Sequence, residues 1–301
     1  MNNMAANFHL PGMFEFAELY KCFLPLYGNH REYFYDYCNI ASIYDAPADC
    51  IWGGGRVGAG EISDEEIDEI LALLRKYGIS ARLTFSNSLL AEEHLSDRKC
   101  NNLCRKLAGA GGNGVIVHSE LLTKYLKEKY PSLYLVSSTT KVLTNFDDFV
   151  NEAEREEFEY IVPDFRLNKK FDELKNMDSR LKDKTEFLCN ECCYFGCNDR
   201  KACYEAVSKK VLGMDSPEFI CRAPGGNKGY SFSKAMANPA FISVDDILTK
   251  YLPMGFTNFK IEGRGLGSAM ILEFLLYYLI KPEYNINVRE EIYLDGMLDL
   301  F

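Results

Sequence analysis

No tract of Lys or Arg in this sequence is long enough to build a basic groove, and 34 basic residues face 44 acidic ones. The net charge of −10 sets bulk electrostatics against nucleic acid and acidic membrane surfaces. The opening residues, MNNMAANFHLPGMFEF, lack a basic segment followed by an apolar one, so a secretory leader is not expected. The most apolar run, residues 269–280, contains Glu273 and is too short to cross a bilayer. A cytoplasmic, reducing compartment is the expectation that follows. There is no GxSxG, no HExxH and no P-loop lysine pattern, so the commonest hydrolase and nucleotide signatures are missing. Internal repeats of short period and low-complexity linkers are also missing.

What is present is ordinary for a globular chain, with 47% apolar and 26% charged residues over 301 positions. Eight short β-branched runs suit buried parallel strands: residues 7–10, 50–53, 81–86, 114–118, 133–137, 160–164, 185–189 and 257–262. Nearly all lead into helical patterns. An aromatic-rich helical region runs to about Tyr44, and others cover residues 97–107, 120–130, 146–156, 170–181, 244–252 and 268–280. The clearest helix starts at a capping box, Ser63 with Glu66. It presents Ile67, Ile70, Leu71 and Leu74 on one face and stops at Gly78. Alternation on this scale predicts α/β architecture, and eight units in a chain this long suit a (β/α)8 TIM-type barrel, with an open doubly wound sheet as competitor. The expectation is one barrel domain over 1–301, with 189–241 as a Cys-, Gly- and Pro-rich active-site insertion after the seventh strand.

In a barrel, chemistry sits where strands end. Those positions are His9, Trp52 with the glycine turn, Asn87, His118, Ser138, Asp164, Asn190 with Glu191, and Glu262 with Arg264. His118 and Asp164 could act as general acid and base or simply bond to backbone at strand ends. Lys260 and Glu262 share strand parity and are expected to face the lumen, as a catalytic or a packing pair. Arg264, Arg222 and Arg56 have the fork geometry to clamp a carboxylate. The turns at 53–56 and 223–227 could cradle phosphate through backbone amides, or be tight turns. Cys100 and Cys104, one helical turn apart, read as small buried hydrophobes.

Six of the eleven cysteines lie between Cys189 and Cys221, in a run CNECCYFGCNDRKACYE followed by an isolated cysteine. An odd total forbids complete intrachain pairing. In a reducing compartment such density argues for metal or redox chemistry. Three residues separate Cys193 from Cys197, five separate Cys197 from Cys203, and Cys221 lies further on. Four thiolates satisfy either tetrahedral zinc or an iron–sulfur cluster. Cys189 and Cys192 form one CxxC with no second, and no CxxxCxxC loop occurs because Gly196 takes the third position.

The segment Asn190-Glu191-Cys192-Cys193 with Cys197, Arg200, Cys203 and Tyr204 is similar to a pattern NE-x-C-x3-C-x2-R-x2-[HC], and Phe259–Arg264 reads FKIEGR. In these two segments the chain resembles the collagenase-like "unknown-type" peptidase family, iron–sulfur TIM-barrel proteins that include oxygen-independent RNA and ubiquinone hydroxylases. The resemblance implies a [4Fe–4S] cluster on Cys193, Cys197, Cys203 and Cys221, with Cys189 and Cys192 as spare donors. It implies redox or oxygen-transfer chemistry on a small organic or nucleic-acid-derived substrate, with a carboxylic acid as oxygen donor and a redox partner protein. The alternatives are a zinc-stabilised interaction module and a peptidase without a cluster.

Overall fold

The computed structural model describes residues 5–55, 60–226 and 229–294. Eight strands, β1 (Ala6–Pro11), β2 (Cys38–Asp45), β3 (Ser80–Phe85), β4 (Gly114–Val117), β5 (Tyr134–Ser137), β6 (Phe158–Ile161), β7 (Glu186–Leu188) and β8 (Asn258–Lys260), form one sheet. Its order is β6-β5-β4-β3-β2-β1-β8-β7, with every pairing parallel. The parallel bridge Ile161–Thr185 joins β6 to the start of β7, so the ring is nearly closed. This is the expected (β/α)8 architecture, with the cysteine segment directly after β7.

The helices that matter below are α1 (Ala17–Asn29), α2 (Asp64–Lys76), α3 (Arg98–Ala110) and, after the cysteine turn, a basic helix Arg200–Val211. The capping box of α2 forms as read: the Glu66 amide donates to Ser63 Oγ and the Ser63 amide to Glu66 Oε2. Its four predicted apolar residues are buried, worth roughly 1.5–3 kcal/mol each relative to exposure. Cys100 and Cys104 are buried on the inner face of α3.

The second strand is a correction. Residues 50–53 are a turn, in which the Gly53 amide donates to the Cys50 carbonyl, and β2 lies earlier, at Cys38–Asp45. The aromatic density of residues 33–37 resembled a continuing helix. Instead α1 stops at Asn29, and Ile40 and Ile43 enter the sheet as the β-branched residues they are. Trp52 is therefore no strand end. It anchors the loop after β2, fully buried against Phe85 and Tyr125, with Nε1 donating to the His94 carbonyl at 2.7 Å. The helix expected over 170–181 is also broken in two, because Asp178 caps a fresh start by accepting the Arg180 amide.

Alternate residues of each strand point inward and stack in layers. The lower layer is charged. Arg82 donates to Glu186 at 2.5 Å and to the Tyr134 hydroxyl at 2.7 Å, and lies over the Tyr160 ring. Gly114 is required here, since a Cβ would stand 2.3 Å from the Tyr134 ring. The next layer is mainly apolar, with Tyr44, Ile116, Val136, Val162 and Leu188. Lys260 enters at this level and reaches down to Glu186 Oε1 at 3.1 Å. Its partner is thus Glu186, rather than the Glu262 that strand parity suggested. No described helix is long and apolar enough to cross a membrane.

Candidate active site at the barrel mouth

Above the apolar layer a cavity opens at the carboxyl end of the strands. Its walls include Ser86, Ser138, Thr140, Lys260, Glu262 and Arg264. Arg264 is held from behind: Nη2 donates to the Gly54 carbonyl at 3.2 Å, and Nη1 lies 3.9 Å from Asp45 Oδ1. Gly54 must be glycine, because a Cβ would stand 2.5 Å from the Ser86 backbone, and that contact seats the turn on the end of β3. Asp45 is itself fixed by the amides of Phe14, Glu15 and Ala46. Burial pushes its carboxyl upward against the pull of Arg264.

Three buried polar atoms around this cavity have no hydrogen-bond partner among the described residues: Arg264 Nη1, Ser86 Oγ and Thr84 Oγ1. Each such orphan costs about 1–3 kcal/mol, so their gathering at one mouth marks a place for a polar ligand. His118 does not line the cavity. Its Nδ1 is 2.9 Å from Thr140 Oγ1, which donates to Ser138 Oγ at 2.9 Å, and both of those residues do line it. Burial, then the nearby Lys141 and Lys201, lower the His118 pKa to about 4, so the ring is neutral at pH 7.

A second cavity lies alongside, lined by Cys193, Cys197, Cys203 and Cys221, together with Gly55 and Tyr204. Gly55 and Tyr204 also line the mouth, so the two cavities share a wall. The cysteine turn is held by charge. Glu191 accepts the Cys193 amide and Arg200 Nη2, both at 2.8 Å. Arg200 is buried, lies 3.6 Å from Asp164, and stacks on Phe165 and Tyr204. Arg166 bonds Asp164 at 2.6 and 3.0 Å and donates to the Cys197 carbonyl at 2.8 Å. Asp164 is therefore occupied by two guanidinium groups, outside the mouth. Asn190 stitches the exits of β7 and β8, taking the Glu262 amide at 2.7 Å and donating to its carbonyl at 2.9 Å.

The donor set suits a soft metal centre in chemistry and in sharing one cavity. Among the described residues, no group of three or more His, Cys, Asp or Glu stands at metal-binding spacing. Holding a cluster therefore requires the four thiols to draw together. Cys221 is exposed on an irregular segment, the one member not fixed by a helix or the charged turn. Burial pushes the Cys193 thiol up to about 11, opposed by Arg200. Cys189 and Cys192 are buried among core side chains and do not line that cavity. Arg222 lines the cysteine cavity and not the mouth. Arg56, like the end of the 223–227 turn, lies outside the described residues.

Sequence reasoning missed Asp45, Thr84, Ser86 and Tyr204. Asp45 was hidden by the misplaced second strand. Thr84 and Ser86 were legible as the inward parity of residues 81–86. Tyr204 carried no signal beyond its place in the cysteine run.

A nearly closed parallel barrel with a polar mouth at its carboxyl end defines the class: a TIM-type barrel protein with its site on the strand-end loops. Residues 37–278 match peptidase family U32, and the chain belongs to that family. A solved structure, that of the U32 peptidase Mk0906, is similar at a TM-score of 0.53 and 15% identity, covering 88% of this chain and 95% of that one. At that identity the likeness speaks to the fold alone. No curated protein matches the chain.

Proposed function

We propose that this protein is an iron–sulfur barrel enzyme performing redox or oxygen-transfer chemistry on a small carboxylate substrate at the barrel mouth. The observation that carries the reading is the shared wall: four cysteines line one cavity that adjoins, through Gly55 and Tyr204, the mouth where Arg264 has an unsatisfied donor. Cys193, Cys197, Cys203 and Cys221 would hold the cluster, which when bound supplies an electron-transfer centre or, with one iron position open, a Lewis acid.

The chain's own groups do the remaining work. Arg264 lines the mouth as the clamp for a substrate carboxylate, and Asp45 and the Gly54 carbonyl fix its plane. Ser138 and Thr140 carry a hydrogen-bonded path from neutral His118 to the cavity, along which a proton can move. Arg200 sits against Cys193 and favours its thiolate.

Anaerobic purification with iron and sulfide quantitation tests the reading. About four of each per chain support it, with loss in the Cys197→Ser variant and retention in Cys189→Ser. Stoichiometric zinc without charge-transfer absorbance would support the zinc-stabilised module instead. The family's name favours a second reading, peptide hydrolysis. A Ser–His–Glu chain stands among the described residues, with Ser42 Oγ 2.8 Å from His9 Nδ1 and Glu186 3.6 Å from His9 Nε2. All three are fully buried, and Arg82 and Lys260 already occupy Glu186, so this chain is a lumenal framework. Peptidase activity that survives iron removal and the Cys197→Ser change would overturn the redox reading.

A further inference from the structure

Lys260 brings a charged side chain into the mainly apolar layer that floors the mouth, and it lines the cavity. Its Nζ lies 3.1 Å from Glu186 Oε1 and 3.5 Å from the centre of the Tyr44 ring. A lysine needed only to neutralise Glu186 has no reason to border an open cavity, since Arg82 already pairs with that carboxylate at 2.5 Å. The same cavity is lined by Thr84, Ser86 and Arg264, which carry buried polar atoms without a hydrogen-bond partner among the described residues. An amine beside a cavity whose rim offers a carboxylate clamp and two hydroxyls is the arrangement that captures a carbonyl.

We propose that Lys260 is an imine-forming residue, condensing through its ε-amino group with the carbonyl of a small oxo acid whose carboxylate is held by Arg264. The groups facing Lys260 are Glu186, Arg82, His9, Tyr44 and Arg264. Burial and the two guanidinium groups outweigh Glu186 and bring the amine's pKa to about 8. Roughly one molecule in ten then carries the free amine at pH 7. The lone pair of that amine attacks the carbonyl carbon and a C–N bond forms. The carbonyl oxygen takes up the proton that the ammonium had released, one of the two amine protons then passes to the same oxygen, and the carbinolamine C–O bond breaks to release water while one N–H stays on the imine. Overall, ammonium plus carbonyl gives protonated imine plus water. No electrons are exchanged, and the positive charge stays opposite Glu186, so the ion pair survives the reaction.

The carboxylate half of this inference rests on the Arg264 reading above; the imine half does not depend on the cluster. The test is reductive trapping. Anaerobically isolated protein is incubated with pyruvate and sodium cyanoborohydride, then mapped by peptide mass spectrometry. The expected result is one adduct of reduced pyruvate, on Lys260, absent in a folded Lys260→Arg variant. The Arg264→Gln variant should need at least about tenfold more pyruvate for the same yield. Acetone, which lacks the carboxylate, should trap equally in wild type and Arg264→Gln.

Should Lys260→Arg fail to fold, the pH dependence of the wild-type trapping rate decides, because it should follow a group titrating near 8. Adducts scattered over surface lysines with Lys260 spared would overturn the proposal. Trapping with acetone but no pyruvate preference would overturn the Arg264 half alone. Absence of iron would leave either result intact.

Discussion

At the scale of single residues, the molecule places charge where it is most costly to bury. Glu186 is fully enclosed, and burial alone would push its carboxyl up, yet Arg82 and then Lys260 hold it far below the carboxylate range. Removing that carboxylate leaves two buried cations unpaired. Glu186→Gln should therefore cost about 3–5 kcal/mol, read as a lower urea midpoint. His9 behaves in the opposite sense. Burial, then Arg82, lower its pKa to about 3, while an unfolded histidine titrates near 6.5. The unfolded chain binds that proton first, so stability is complete above pH 6.5 and falls as the pH drops toward 3. Each such histidine contributes a slope of about 1.4 kcal/mol per pH unit. Denaturation midpoints measured between pH 7 and 4.5 should decline, and a His9→Gln variant should decline less steeply. An unchanged slope would show that His9 is protonated in the fold.

At the scale of elements, what could be read from the sequence depended on whether a signal was local. The α2 cap and its apolar face needed only neighbouring residues, and both formed. Ser63→Ala should accordingly cost about 1 kcal/mol in a thermal or urea melt. The β2 strand needed tertiary information, because Cys38–Asp45 carries both apolar and polar residues toward the barrel interior and follows a cluster of tyrosines. With that strand misplaced, Asp45 could not be seen as the support behind Arg264. The cysteine turn was legible as a motif, but its mechanics were not. Asn190 and Glu191 turn out to be fasteners, one tying β7 to β8 and the other tying Cys193 to Arg200. Glu191→Ala should leave Arg200 poorly paired and loosen the turn, lowering stability by about 3 kcal/mol or more. Limited proteolysis should then cut first between residues 191 and 203. Cleavage elsewhere would mean the turn is held by other contacts.

At the scale of the whole molecule, the eight-unit rhythm of the chain pointed to a barrel with an open doubly wound sheet as competitor, and the bridge from β6 to the start of β7, which periodicity cannot show, nearly closes the ring. Closure matters because it brings the loop after β7 beside the loop after β2, so that Gly55 and Tyr204 wall both cavities. The four cysteines thus stand next to a polar mouth, and the pairing of those two features is the centre of this account. Diffraction from anaerobically grown crystals, recorded on both sides of the iron absorption edge, tests it most directly. The account predicts one strong iron peak in the cysteine cavity, bonded by Cys193, Cys197, Cys203 and Cys221 at about the 2.3 Å typical of metal–thiolate bonds. A zinc-edge peak at that place, or ordered thiols there pointing apart with no metal between them, would contradict it.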